Sequence, residues 1–120
     1  MKKGPEYEKH VLETYLLPLF PDAERRYHKK GPNNTDLGDF DNIGEWVGDA
    51  KKRETWALPA WIRNIRAKGK DTRKWFLIYA ADGRRLPGDF VTVDARDFFD
   101  LLSQVEGAVL AEVREEGLDG

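Results

Sequence analysis

The sequence predicts a single α/β domain, residues 1–120, with a mixed central sheet flanked by helices in the order α-β-β-β-α-β-β-α. Three observations carry that reading. "KWFLIYAA", residues 74–81, is a continuous apolar run of strand length, the pattern of a strand buried on both faces. Apolar residues recur at helical spacing near both ends of the chain and again between the strand-like segments. A chain of 120 residues, 40% hydrophobic and 35% charged, is enough for one core and too short for two.

The elements follow in order. Over residues 6–17, Tyr7, Val11 and Tyr15, with Leu12 and Leu16, recur four apart, which predicts an amphipathic helix ended by Pro18 and Pro21. "AERRYHKK" (23–30) reads as a strand that leaves into the turn-forming loop "GPNNTDLG". A tight hairpin is expected next, with arms over about 37–41 and 45–51 joined across Asn42-Ile43-Gly44. Thr55 then stands to cap a second helix, in which Leu58, Trp61, Ile62 and Ile65 form one stripe and Pro59 is tolerated in the first turn. After the strand at 74–81, "DGRRLPGD" turns the chain into a further strand, "FVTV" (90–93). Asp94 caps a last helix whose Phe98, Leu101, Leu102, Val105 and Val109 are expected to face inward. Gly107 weakens the end of that helix, and residues 115–120 read as a frayed tail.

Composition narrows the chemistry. With no cysteine, zinc ribbons, thiol nucleophiles and disulfide scaffolds are excluded. The basic start "MKKGPEYEKH" has no apolar segment behind it, and nothing approaches the ~18 apolar residues of a membrane span, so a cytoplasmic protein without membrane contact is expected. The net charge of −2 hides an asymmetry: residues 1–85 hold 18 Lys/Arg against 13 Asp/Glu (+5), and residues 86–120 hold 2 against 9 (−7). A basic body carrying a carboxylate cluster suits a polyanionic ligand, although an acidic solvated helix and tail account for the same counts.

That cluster is "GDFDNIGEWVGDAKK" (38–52), which sets Asp39, Asp41, Glu45 and Asp49 beside Lys51 and Lys52. Residues two apart share a face of a strand, so Asp49 and Lys51 project together with Val47. A two-residue turn puts position 39 opposite 48, and a three-residue turn puts it opposite 47; either brings Asp39 close to Asp49. Two carboxylates held there repel, and one must take up a proton unless a cation lies between them. Oxygen ligands without cysteine point to Mg²⁺ or Mn²⁺, which also polarises a phosphate and activates water. Asp41, two residues from Asp39, is an alternative first ligand or a second one, and a solvated Asp49/Lys51 pair on an edge strand is the plain alternative to any site.

"GDF" at 38–40 followed by "DAK" at 49–51 resembles the motif of the PD-(D/E)xK, or restriction-endonuclease-like, nucleases, with Gly38 in place of the family's proline. "KGPEYEKHV" is similar to the first helix of Holliday junction resolvases of the archaeal type, and "RRYHKKGPNNTDLGDF" to their strand and loop before the aspartate. The nearest likeness, over roughly residues 3–80, is to resolvase-like proteins of actinobacterial phages. The resemblance implies a restriction-endonuclease-like core. It implies Asp39, Asp49 and the Ala50 carbonyl as metal ligands, Lys51 as the catalytic lysine, Glu8 as an accessory acid at the metal, and Arg25 or Arg26 near the scissile phosphate. It further implies a Mg²⁺-dependent endonuclease acting on branched DNA, four-way junctions above all, as a homodimer, because one site cannot cut two strands in concert. A nuclease without junction specificity and a non-catalytic DNA-binding module on the same fold are the rival readings.

Candidate DNA contacts are Arg25, Arg26, Lys29, Lys30, Lys52, Arg53 and Arg63, and residues 51–74 gather nine basic side chains against two acidic ones. His28 stands beside that first group, and His10 reads as helix surface. Trp61 and Trp75 read as core, whereas Trp46 and Trp56 are open between packing and recognition.

Overall fold

The computed structural model describes residues 3–26, 38–70, 73–81 and 86–118, with side chains of the last helix described through Ala108 and at Glu112. Helix α1 spans Lys3–Val11 and runs on through a π-helical turn, Leu12–Leu16. Across that turn the Leu17 N–H donates to the Leu12 carbonyl, five residues back, at 2.9 Å. The wider turn changes which residue faces inward. Tyr7 and Val11, four apart, are buried, and the next buried position is Leu16, five further on. Tyr15, expected on the inner stripe, is instead 41% exposed.

Strands β1 (Glu24–Arg25) and β2 (Phe40–Asp41) form a short antiparallel pair. The main sheet has the order β3-β4-β5, from Trp46–Arg53, Lys74–Ala81 and Asp89–Val93. β3 and β4 are parallel, with α2 (Leu58–Lys68) as the crossover, and β5 returns antiparallel to β4. β4 is the central strand, and Trp75 and Leu77 through Ala80 are buried along it, as its unbroken apolar run predicts. On one face Ala50 and Ile78 pack with Tyr7, Val11 and Phe40; on the other Val47, Leu77 and Tyr79 pack with Ile65 of α2. Among the described residues the chain is thus an α/β fold with a mixed three-stranded sheet, a two-stranded pair and three helices.

Several local expectations need correction. β2 pairs with β1, and a backbone bond from the Asp39 N–H to the Gly48 carbonyl, at 2.9 Å, joins the start of that segment to β3. The ladder cannot continue because the Asp39 carboxylate itself takes the Ala50 N–H, at 2.9 Å. Thr55 does not cap α2, whose N-terminal flanking residue is Ala57 without a side-chain cap, although Pro59 does lie in the first turn. Trp56 packs on Tyr79 with ring centroids 4.9 Å apart, so it belongs to the core. Trp46 packs beside Phe76 on the opposite face.

Asp94 caps α3 (Ala95–Leu118) as expected, its carboxylate accepting the Arg96 N–H at 2.9 Å. The stripe of that helix is not inward: Phe98, Leu101, Leu102 and Val105 are all exposed. The Val109 side chain lies outside the described residues. Gly107 does not interrupt the helix, which continues to Leu118 through part of the stretch expected to be a tail. A helix ~36 Å long leaving the sheet explains a radius of gyration of 17.1 Å where a globular chain of this size has about 14 Å.

Asp89, at the start of β5, ties the sheet to α1. It accepts from Tyr7 Oη at 2.9 Å and Tyr15 Oη at 2.6 Å, and His10 Nε2 lies 2.8 Å away. Burial pushes its carboxyl up, but the bonds from Tyr15, His10 and Tyr7 outweigh this and hold it below the usual range. A lowered carboxylate pKa adds stability that is present above the unfolded value and lost as pH falls through the folded one. Asp89→Asn is therefore expected to cost about 1–3 kcal/mol at pH 7 and to flatten the acid limb below about pH 4. Urea unfolding of both proteins across that range measures it.

Candidate metal-dependent active site

The site is assembled on the edge of β3 that faces β2. Backbone N–H and C=O groups of one strand residue point to the same edge and alternate along the strand. Gly48 and Ala50 face β2, since the Gly48 carbonyl accepts from Asp39 and the Ala50 N–H donates to its carboxylate. The Ala50 carbonyl is therefore turned toward Asp39. The Asp49 side chain projects on the face of Val47, toward α2, and is 1% exposed; Asp39 is 8% exposed.

Gly38 determines how Asp39 arrives. Its φ is +91°, and a Cβ there would lie 2.7 Å from the Gly48 carbonyl oxygen. Proline, locked near −65°, cannot adopt that backbone, so glycine is what this geometry requires. Gly38→Ala is expected to destabilise the fold by roughly 1–3 kcal/mol, read as a lowered urea midpoint.

The electrostatics centre on Asp49. Its Oδ2 accepts from Lys68 Nζ at 2.6 Å, and its Oδ1 is buried with no hydrogen-bond partner. Burial first, and the Asp39 charge second, push the Asp49 carboxyl above its ordinary range, against the opposing pull of Lys68 and Lys51. Lys68, at the last turn of α2, is read from the sequence as a candidate phosphate contact, and its pairing with Asp49 is what sequence reasoning missed. It stood in the basic run of 51–74 without distinction, and only the α2–β3 packing singles it out.

Other expected residues are placed differently. Asp41 pairs with Arg26 and not with Asp49, which leaves Asp39 as the carboxylate beside the site. Glu8 pairs with Arg25 at 3.3 Å. Among the described residues no three His, Asp or Glu side chains form a metal-holding group. Arg25 and Arg26 both serve internal ion pairs. Lys52 projects from the opposite face of β3 into a cleft lined by Glu6, His10 and Asp89. Arg53 and Arg63 are exposed, while Lys29, Lys30 and His28 lie outside the described residues. Arg73 binds the carbonyls of Gly44, Glu45 and Trp46, and Lys74 pairs with Glu45 at 2.7 Å, so two members of the basic run are structural.

The donor set suits a hard divalent ion. Mg²⁺ commonly takes one or two protein carboxylates and keeps its waters. Two carboxylates, a carbonyl on the same edge, and an orphaned buried oxygen fit that demand. No family model matches the chain, and neither a curated protein nor a solved structure does.

Lys68→Met strips Asp49 of its cation and is expected to cost about 3 kcal/mol at pH 7. Because the Asp49 pKa is raised, protonation favours the folded state; the penalty shrinks as pH falls and grows as pH rises through the folded pKa. Asp49→Asn, measured without metal, is expected to be at least as stable as the wild type. Urea unfolding of the three proteins at pH 5 and pH 8 decides both points.

Proposed function

We propose that the chain is a metal-dependent DNA endonuclease with a restriction-endonuclease-like core, acting on branched DNA with four-way junctions as the favoured substrate. The observation that carries the reading is the buried Asp39/Asp49 pair with Asp49 Oδ1 unpartnered. That arrangement is costly to the fold alone and is useful once a divalent cation joins it.

Asp39, Asp49 and the Ala50 carbonyl would hold Mg²⁺ or Mn²⁺. When bound, such an ion supplies Lewis-acid polarisation of the phosphodiester and a water of lowered pKa. Lys51, on the Asp49 face, places an ammonium where negative charge builds on the phosphoryl oxygens. Lys68 holds Asp49 Oδ2 at 2.6 Å and opposes the burial that raises its carboxyl. Exposed Arg53, Arg63 and Arg66 flank the site and suit the DNA backbone. The preference for junctions rests on the sequence resemblance, and two cuts require two copies.

A second reading is favoured by two contacts: Lys68 already satisfies one Asp49 oxygen and Arg25 already pairs with Glu8, as a DNA-binding module without hydrolysis would have it. Cleavage assays on four-way, flap and linear duplex DNA with Mg²⁺ and Mn²⁺ separate the readings. The nuclease is expected to cut the four-way junction fastest, and Asp39→Ala, Asp49→Ala or Lys51→Ala to lower the rate by about 10²-fold or more while binding persists. Binding without cleavage on every substrate supports the module, and cleavage unchanged in Asp49→Ala sinks the proposed site.

A further inference from the structure

An apolar groove of about 370 Å³ opens on the α1 face of the sheet, between the π turn and β5. Leu16, Leu19, Phe20, Phe76 and Val91 line it. α1 packs over β3, whereas toward β5 the same face is open: Val91 is 57% exposed and Leu19 is 73% exposed. Leu101 of α3 also borders the groove, so its wall continues into the exposed stripe of Phe98, Leu101, Leu102 and Val105. The molecule thus carries an unfilled apolar groove and an uncovered apolar ridge.

We propose that the groove is filled by α3 of a second copy of this chain, the two chains pairing about a two-fold axis with each helix laid along the partner's groove. Charge selects this arrangement. Residues 86–120 carry −7 and residues 1–85 carry +5, so two terminal helices packed only on each other would set like charge against like. A helix on the partner's body sets the −4 of residues 95–118 against that +5. Size agrees as well. Tyr15, Leu19, Val91, Phe98, Phe99, Leu101, Leu102 and Val105 are each at least 40% exposed, and covering them together approaches the ~800 Å² per partner of a stable interface. So large a contiguous patch is uncommon on a soluble monomer.

The inference supplies the second copy that the two-cut reading needs, but it rests on the two apolar surfaces. Assembly is measured without DNA or metal, so its failure is distinct from a failure of cleavage. Sedimentation equilibrium of the full chain at micromolar concentration is expected to give twice the 13.8 kDa of one chain. Leu102→Asp with Val105→Asp, at exposed positions that the single chain does not need for folding, is expected to return the mass to 13.8 kDa with an unchanged helical spectrum. A wild type that stays at 13.8 kDa overturns the proposal; if its radius of gyration in solution is near 14 Å, α3 closes on its own groove.

Because the chain has no cysteine, Val91→Cys and Leu102→Cys can be made separately, mixed and oxidised. A crosslink between the two different variants, in excess over either variant with itself, is expected. Leu102→Cys linking mainly to itself would put helix against helix and overturn the groove as the seat.

Discussion

Asp49 is 1% exposed in the middle of β3, with a second buried carboxylate at the same strand edge, and an ionised acid so placed costs several kcal/mol unless positive charge reaches it. Much of the surrounding structure answers that demand. α2 ends with Lys68 against Asp49 Oδ2, and Lys51 stands two residues along the same face. Gly38 takes a left-handed backbone so that Asp39 can enter beside Gly48 and Ala50. The Asp39 carboxylate then occupies the Ala50 N–H, which stops β2 from extending as a strand of the main sheet.

The same arrangement leaves Asp49 only partly compensated. Lys68 lowers the cost of an ionised Asp49, yet it satisfies only one of the two oxygens. A divalent cation would supply more charge in less volume than the Lys68 ammonium. The pair of aspartates therefore makes physical sense as a site under partial compensation. Replacing them with apolar residues of similar volume would give an easier core.

Away from the site, the Asp89 cluster organises the opposite face. The π turn rotates Tyr15 out of the core and places its hydroxyl on Asp89 along with that of Tyr7, so β5 is held to α1 by polar bonds at one end. At the other end of the same face the groove is apolar and open, and α3 leaves it uncovered. One short helix thus fastens the sheet on one side and leaves a surface for association on the other.

The sequence by itself determined what short-range chemistry decides. The order of elements, the buried strand at 74–81, the Asp94 cap and the shared face of Val47, Asp49 and Lys51 follow from periodicity, capping and the alternation of a strand. It also put forward Asp39, Asp49 and Glu8 as the candidate carboxylates, with Asp41 unresolved. Only the tertiary structure decided that Asp41 belongs to Arg26, that Glu8 belongs to Arg25, and that Lys68 reaches Asp49 across 19 residues of chain. It also turned the stripe of α3 outward, where periodicity could show that the stripe exists but not which surface covers it. Partner choice among charges, like the direction of an amphipathic helix, depends on distances set by packing between distant segments, and spacing along the chain carries no such information.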